Sequence, residues 1–209
     1  GLALPHGAAR DQLTARGKRK PGPPARQRLR VDPAGLVAGA RYLPSPNCDD
    51  RPPGTQITLL VVHGISLPPG EFGGGGVIGL FTNTLDFDAH PAYAGLRGLR
   101  VSAHFLLRRS GEILQFVPCT RRAWHAGESA WRGRPRCNDF SIGVELEGAD
   151  EVPYAGAQYG ALVRLIRALR RAYPLTDIVG HADIAPGRKT DPGPAFDWQR
   201  LRAALERRR

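Results

Sequence analysis

The segment Ile57-Thr-Leu-Leu-Val-Val62 is β-branched and almost unbroken in its apolar character. Such a run predicts a strand buried on both faces, because a strand with one wet face alternates with period two. Phe140 to Leu146 (Phe-Ser-Ile-Gly-Val-Glu-Leu) does alternate and predicts a second strand. Val101 to Arg108 and Glu112 to Val117 flank Arg109-Ser110-Gly111, the pattern of a hairpin. From Ala157 to Tyr173 the period becomes helical, with Leu162, Ile166, Leu169 and Tyr173 on one side. Arginines 164, 167, 170 and 171 then point to solvent, and Pro174 ends the helix. Ile178-Val179 predicts a short strand leading into His181, and Trp198 to Glu206 a closing helix. Leu67 to Gly98 is loop-rich, with four successive glycines at 73–76, and only Val77 to Phe81 patterns as a short helix. Together these elements predict a single α/β domain, a central mixed β-sheet flanked by α-helices.

Composition narrows the picture. A chain of 209 residues with 41% hydrophobic content can bury a sizeable core. No apolar stretch approaches the roughly 18 residues of a spanning helix. Three cysteines (Cys48, Cys119, Cys137) suit a reducing compartment or at most one bridge. The chain has no methionine, not even at position 1, which suits a processed chain or a fragment. A net charge of +11 points to a polyanionic partner until its location is examined. Residues 1–30 hold eight Lys/Arg against Asp11, and residues 200–209 hold five Arg against Glu206. Residues 31–199 hold 17 basic and 17 acidic residues, so the body is neutral and is not a basic nucleic-acid binder. Residues 1–30 contain no Val, Ile or aromatic residue but four Pro and four Gly, and predict a flexible basic tail ahead of a domain at 31–209. Their leucines stand isolated, without the apolar stretch of a secretory signal.

The candidate chemistry lies in the histidines. There are six, of which His63 ends the first strand and His181 the last, with Asp191 ten residues beyond. Two imidazoles and a carboxylate suit a catalytic zinc, since three protein ligands leave the fourth tetrahedral position for water. Spacing alone does not choose among six histidines, because no compact motif such as His-Glu-x-x-His is present. A histidine at a strand end is more often structural.

Six local motifs, in order, add to this. They are Leu-Val-Val-His63, Leu-Pro-Pro-Gly-Glu-Phe-Gly-Gly (67–74), Arg100-Val-Ser-Ala-His104, Arg122-Ala-Trp-His-Ala-Gly127, Arg136-Cys-Asn-Asp-Phe-Ser-Ile-Gly-Val-Glu145 and Gly180-His181 through Lys189-Thr-Asp191-Pro-Gly-Pro. From about Gly35 to Arg202 the chain resembles the amidase-2/peptidoglycan-recognition-protein superfamily, within it the cytoplasmic amidases of peptidoglycan recycling. The resemblance implies Zn2+ held by His63, His181 and Asp191. It implies Glu145 as the catalytic acid/base and Lys189 as a transition-state cation. Glu147 is the rival of Glu145, since the two share a strand face. The implied partner is an anhydro-muropeptide, cut between 1,6-anhydro-N-acetylmuramic acid and L-alanine. Arg100 and Arg136 are candidate clamps for its carboxylates, and Trp124 a surface for its sugar. His104 and His125 are expected to be structural or supporting.

Where relatives commonly carry Asn after the first ligand histidine, this chain has Gly64, which removes a side-chain amide from the substrate's reach. The Gly/Pro-rich segment 67–98 is expected to act as a mobile lid. Two other readings stand beside the recycling amidase: an envelope amidase acting on intact murein, and a non-catalytic peptidoglycan-binding module. The second is disfavoured because all three ligand residues are retained.

Overall fold

The computed structural model describes residues 27–207, so most of the expected basic tail, 1–26, lies outside the described residues. Four short strands come first: β1 (Arg30–Val31), β2 (Val37–Ala38), β3 (Arg41–Tyr42) and β4 (Cys48–Asp50). The apolar run gives β5 (Leu59–Ile65), buried from Leu59 through His63. Helix α1 (Gly76–Thr82) follows, then the hairpin β6 (Phe105–Leu107) and β7 (Ile113–Gln115). Three short strands, β8 (Arg121–Ala123), β9 (Ala130–Trp131) and β10 (Arg134–Pro135), lead to β11 (Ser141–Glu147). The chain closes through α2 (Gly156–Ala172), β12 (Asp177–Gly180), the single turn α3 (His181–Ile184) and α4 (Trp198–Glu206).

Six strands form one sheet in the order β12-β5-β11-β6-β7-β3. All neighbours run parallel except the β6–β7 hairpin, which makes the sheet mixed. Strands β5 and β11 are central and buried on both faces, which is why the first reads as a continuous apolar run. On one face α2 packs Leu162, Leu165, Ile166 and Leu169 against Leu60, Val62, Ile142 and Val144, and α4 adds Leu201. On the other face α1 packs Val77, Leu80 and Phe81 against Leu106, Leu114 and Phe116. Each such fully buried side chain contributes about 1.5–3 kcal/mol relative to exposure. Among the described residues, no helix is long and apolar enough to cross a membrane. The three cysteines are free.

Two expectations are corrected here. Ordered structure begins before Val31: Leu29 is buried in the core, and Arg30 pairs with Ala38 across β1–β2. An isolated leucine has no period, so its burial leaves no pattern in the sequence. Segment 67–98 is also not a lid along its whole length. Its centre, α1, is anchored in the core. The glycine run ahead of it is tied down where Gly73 N–H donates to Glu147 Oε2 (3.0 Å) and Arg108 donates to the Gly74 carbonyl (2.8 Å).

Candidate functional site

Parallel pairing of β5 with β11 sets Glu145 directly beside His63, and in-register neighbours share a face. Pairing of β12 with β5 ends at Gly180 opposite Val62, so the next residue, His181, arrives level with His63. Asp191 returns to the same place, where the Ala182 N–H donates to the Asp191 carbonyl (3.0 Å). One ligand atom from each of His63, His181 and Asp191 falls within 4.8 Å of the others. His63 Nδ1 lies 2.9 Å from His181 Nδ1 and 3.4 Å from Asp191 Oδ2, and His181 Nδ1 lies 3.3 Å from that oxygen.

The surrounding hydrogen bonds fix what these atoms offer. His181 Nε2 faces the Ala126 carbonyl (3.3 Å), which can only accept, so Nε2 carries the proton and Nδ1 presents a lone pair. His63 Nε2 faces His125 Nδ1 (2.8 Å), and His125 Nε2 faces Ser141 Oγ (3.0 Å). Donation along that chain leaves His63 Nδ1 as a lone pair as well. Two lone pairs 2.9 Å apart beside a carboxylate repel one another unless a cation joins them. Tetrahedral zinc with bonds of about 2.0–2.1 Å spaces its donors about 3.3 Å apart, close to the separations here. The donor set therefore fits a metal ion. His125 reaches His63 only because residue 143 is glycine: a Cβ there would stand 2.4 Å from the His125 ring.

Burial shapes the titration of the site. It lowers the His63 pKa to about 4 against the pull of Asp191, and pushes His125 well below its usual value, with His63 and His104 adding repulsion. Burial works to raise the pKa of Asp191, but the neighbouring His181 and His63 rings outweigh it and hold the group low. Glu145 is raised well above the usual carboxyl range, first by burial and then by the charge of Asp191. Its Oε1 lies 3.8 Å from His63 Nδ1, and its Oε2 is buried without a hydrogen-bond partner. Glu147, two residues along the same face, is engaged elsewhere: Arg108 pairs with it at 2.7 Å and the Arg109 N–H donates to it at 3.3 Å. The two carboxylates are thus separated by their neighbours, and Glu145 is the one at the cluster.

The cluster opens into a cleft of about 500 Å3 whose lining includes Glu145, Lys189, Arg100 and Trp124. Trp124 Nε1 donates to Asp49 (3.2 Å), which Arg122 holds through two hydrogen bonds, so the indole is fixed from behind. Arg136 is not in this lining. It stands in a left-handed turn with its guanidinium exposed and 3.4 Å from Asp139, so the structure does not bring it to the cleft. His104 is structural: its Nδ1 accepts from Gly143 N–H (3.1 Å) and its Nε2 faces the Arg121 carbonyl (2.9 Å).

Two cleft residues escaped the sequence reading. Asn138 Oδ1 accepts from the His125 and Ala126 N–H groups, at 3.1 and 2.9 Å, and so shapes the strip behind both histidines. Arg188 lines the cleft and donates to the carbonyls of Ala126 and Glu128. Asn138 lies within the Arg136–Glu145 motif, whose unexplained asparagine was the available signal. At Gly64, a Cβ would meet the Tyr154 hydroxyl at 2.2 Å, so a side chain there requires Tyr154 to move. The Gly64 N–H itself donates to Asp191 Oδ2 (3.3 Å).

Known proteins resemble this chain over most of its length. A relative, 1,6-anhydro-N-acetylmuramyl-L-alanine amidase AmpD of Escherichia coli K12, is 58% identical over 83% of this chain and 96% of its own length. A crystal structure of a selenomethionine AmpD derivative superposes with a TM-score of 0.81 at 57% identity, covering 82% of this chain and 97% of that one. The amidase AmiD of E. coli, solved as a complex with anhydro-N-acetylmuramic acid-L-Ala-D-γ-Glu-L-Lys, matches at 32% identity and a TM-score of 0.52, over 85% of this chain and 65% of that one. Residues 53–194 match the N-acetylmuramoyl-L-alanine amidase family, and the chain belongs to that family.

Proposed function

We propose that this protein hydrolyses the amide between 1,6-anhydro-N-acetylmuramic acid and the L-alanine of a muropeptide, with zinc held by His63, His181 and Asp191. The observation that carries the reading is the buried, unpartnered Oε2 of Glu145 beside a two-histidine, one-carboxylate cluster at the foot of an open cleft. Zinc bound there would lower the pKa of water towards neutrality and polarise the scissile carbonyl.

The chain's own residues do the rest. Glu145 takes a proton from the attacking water as its oxygen joins the lactyl carbonyl carbon. The same carboxyl delivers that proton to the L-alanine nitrogen as the C–N bond breaks, leaving a carboxylate and an amine. A carboxyl whose pKa is raised by burial is suited to holding the proton between these two steps. Lys189, on the cleft lining, supplies fixed positive charge to the oxygen that becomes negative. Arg100 offers a guanidinium to a stem-peptide carboxylate, and Trp124 a fixed apolar wall to the sugar. Arg136, paired with Asp139 away from the lining, is left out of this assignment. Kinship with recycling amidases supports a cytoplasmic setting for the reaction.

The test is turnover of anhydromuramoyl-tripeptide against purified sacculi, each with and without a chelator. The reading expects rapid, chelator-sensitive release of tripeptide and little release from sacculi. Preferential action on sacculi would replace it with an envelope amidase, and absence of turnover on both with a binding module.

A further inference from the structure

Arginine is used in two ways in this molecule. Arg108, Arg121, Arg122 and Arg132 each hold a carboxylate at 2.6–3.2 Å. A recess of about 590 Å3 is lined by Arg28, Arg164, Arg167, Arg171 and Arg207, and no carboxylate stands among the described residues of its lining. Among the described residues, the ion pairs include none of Arg28, Arg167, Arg171 or Arg207. Helix α2, which supplies three of the five, has no Asp or Glu in its 17 residues.

The recess is built rather than accidental. Arg171 donates to the Leu29 carbonyl (3.0 Å), and Arg167 donates to the carbonyls of Ala204 and Arg207 (3.0 and 2.9 Å). One face of α2 thereby draws the entering and the leaving chain together around it. Carbonyl partners satisfy hydrogen bonds but leave the positive charge uncancelled. Residues 167 and 171 stand one helical turn apart, so like charges crowd one helix face, an arrangement that an anion relieves. Since α2 crosses back from the end of β11 to the start of β12, its last turns lie at the end of the sheet away from His63. The recess is separate from the cleft, with no lining residue in common.

We propose that this recess binds a compact polyanion carrying adjacent phosphate groups, such as a pyrophosphate moiety. Guanidinium groups recognise phosphate oxygens through paired N–H donors, and several can share one diphosphate. The described lining has no aromatic side chain on which a base could stack, which disfavours single-stranded nucleic acid. Its concave shape gathers the arginines around a small ligand rather than spreading them over a flat lipid surface.

The experiment is calorimetric titration of the full-length, metal-loaded protein with pyrophosphate at constant ionic strength, repeated for Arg28→Gln/Arg207→Gln. These two side chains make no hydrogen bond to another residue of the recess, so melting temperature should be unchanged. One saturable site per chain is expected, weakened about tenfold or more in the double variant. Pyrophosphate also sequesters divalent metals, and the variant, whose metal centre is untouched, isolates the recess from that effect. Arg134→Gln removes an exposed charge elsewhere and should leave affinity unchanged. Equal affinity in the double variant and the parent would overturn the proposal. So would binding no stronger than that of sulfate, or association with anionic phospholipid vesicles without a saturable pyrophosphate site.

Discussion

Where β5, β11 and β12 end, titratable groups are buried and nearly every one has a partner: His63 with His125, His181 with the Ala126 carbonyl, Asp191 with the Gly64 N–H beside His63 and His181. At the far end of α2, arginines ring a recess with no carboxylate among the described residues of its lining. Both regions hold a surplus of one kind of group. The first confines lone pairs in low dielectric, where a cation is needed to reconcile them. The second leaves positive charge beside solvent, where it costs little to keep and is available to an anion. Burial with partners builds geometry for chemistry, whereas exposed charge that no carboxylate cancels builds attraction. Perturbing each end should therefore give different kinds of loss.

The largest effect is expected from His181→Ala. It removes one of three ligands, and turnover should fall about a thousandfold or more, together with metal content measured on the purified variant. Glu145→Gln should keep the metal and lose about 10²- to 10⁴-fold in kcat, which separates holding the ion from moving the proton. Full activity in that variant would remove Glu145 from its role.

Acid should expose the histidine-rich end. His104 is fully buried and its pKa is lowered to about 3, first by burial and then by Arg51. The unfolded chain takes up that proton near pH 6.5, so stability from neutral His104 is present above that value and is lost as pH falls towards 3. Between those limits its share of the slope is about 1.4 kcal/mol per pH unit. His104→Gln should flatten a plot of unfolding free energy against pH by that amount, even if its overall stability is lower. The smallest effect should come from the other end. Arg28→Gln/Arg207→Gln should leave amidase turnover unchanged and stability within about 0.5 kcal/mol.

The sequence made the framework readable because buried parallel strands appear as unbroken apolar runs and α2 as a clear helical period. Helix α4 falls on the predicted Trp198–Glu206, and the single mixed sheet with flanking helices is the architecture observed. Two-residue ladders such as β1–β2 have no period to read, so Leu29, which reaches the core, reads in the sequence as part of a tail. The cluster of His63, His181 and Asp191 lies beyond spacing for a similar reason. His63 and His181 are 118 positions apart and meet only through the β5–β12 register, so in the sequence only motif resemblance singles them out. Glu145 and Glu147 share a face, and what divides them is Arg108, which no strand pattern reveals. Arg136 sat in a matching motif, yet a left-handed turn and Asp139 carry its side chain away.

The central claim is that His63, His181 and Asp191 hold the metal on which cleavage depends. The most direct measurement is release of tripeptide from anhydromuramoyl-tripeptide by protein stripped with a chelator, followed by stepwise addition of zinc. The account predicts negligible release from the stripped protein and recovery that saturates at one zinc per chain. Full release from metal-free protein would contradict it.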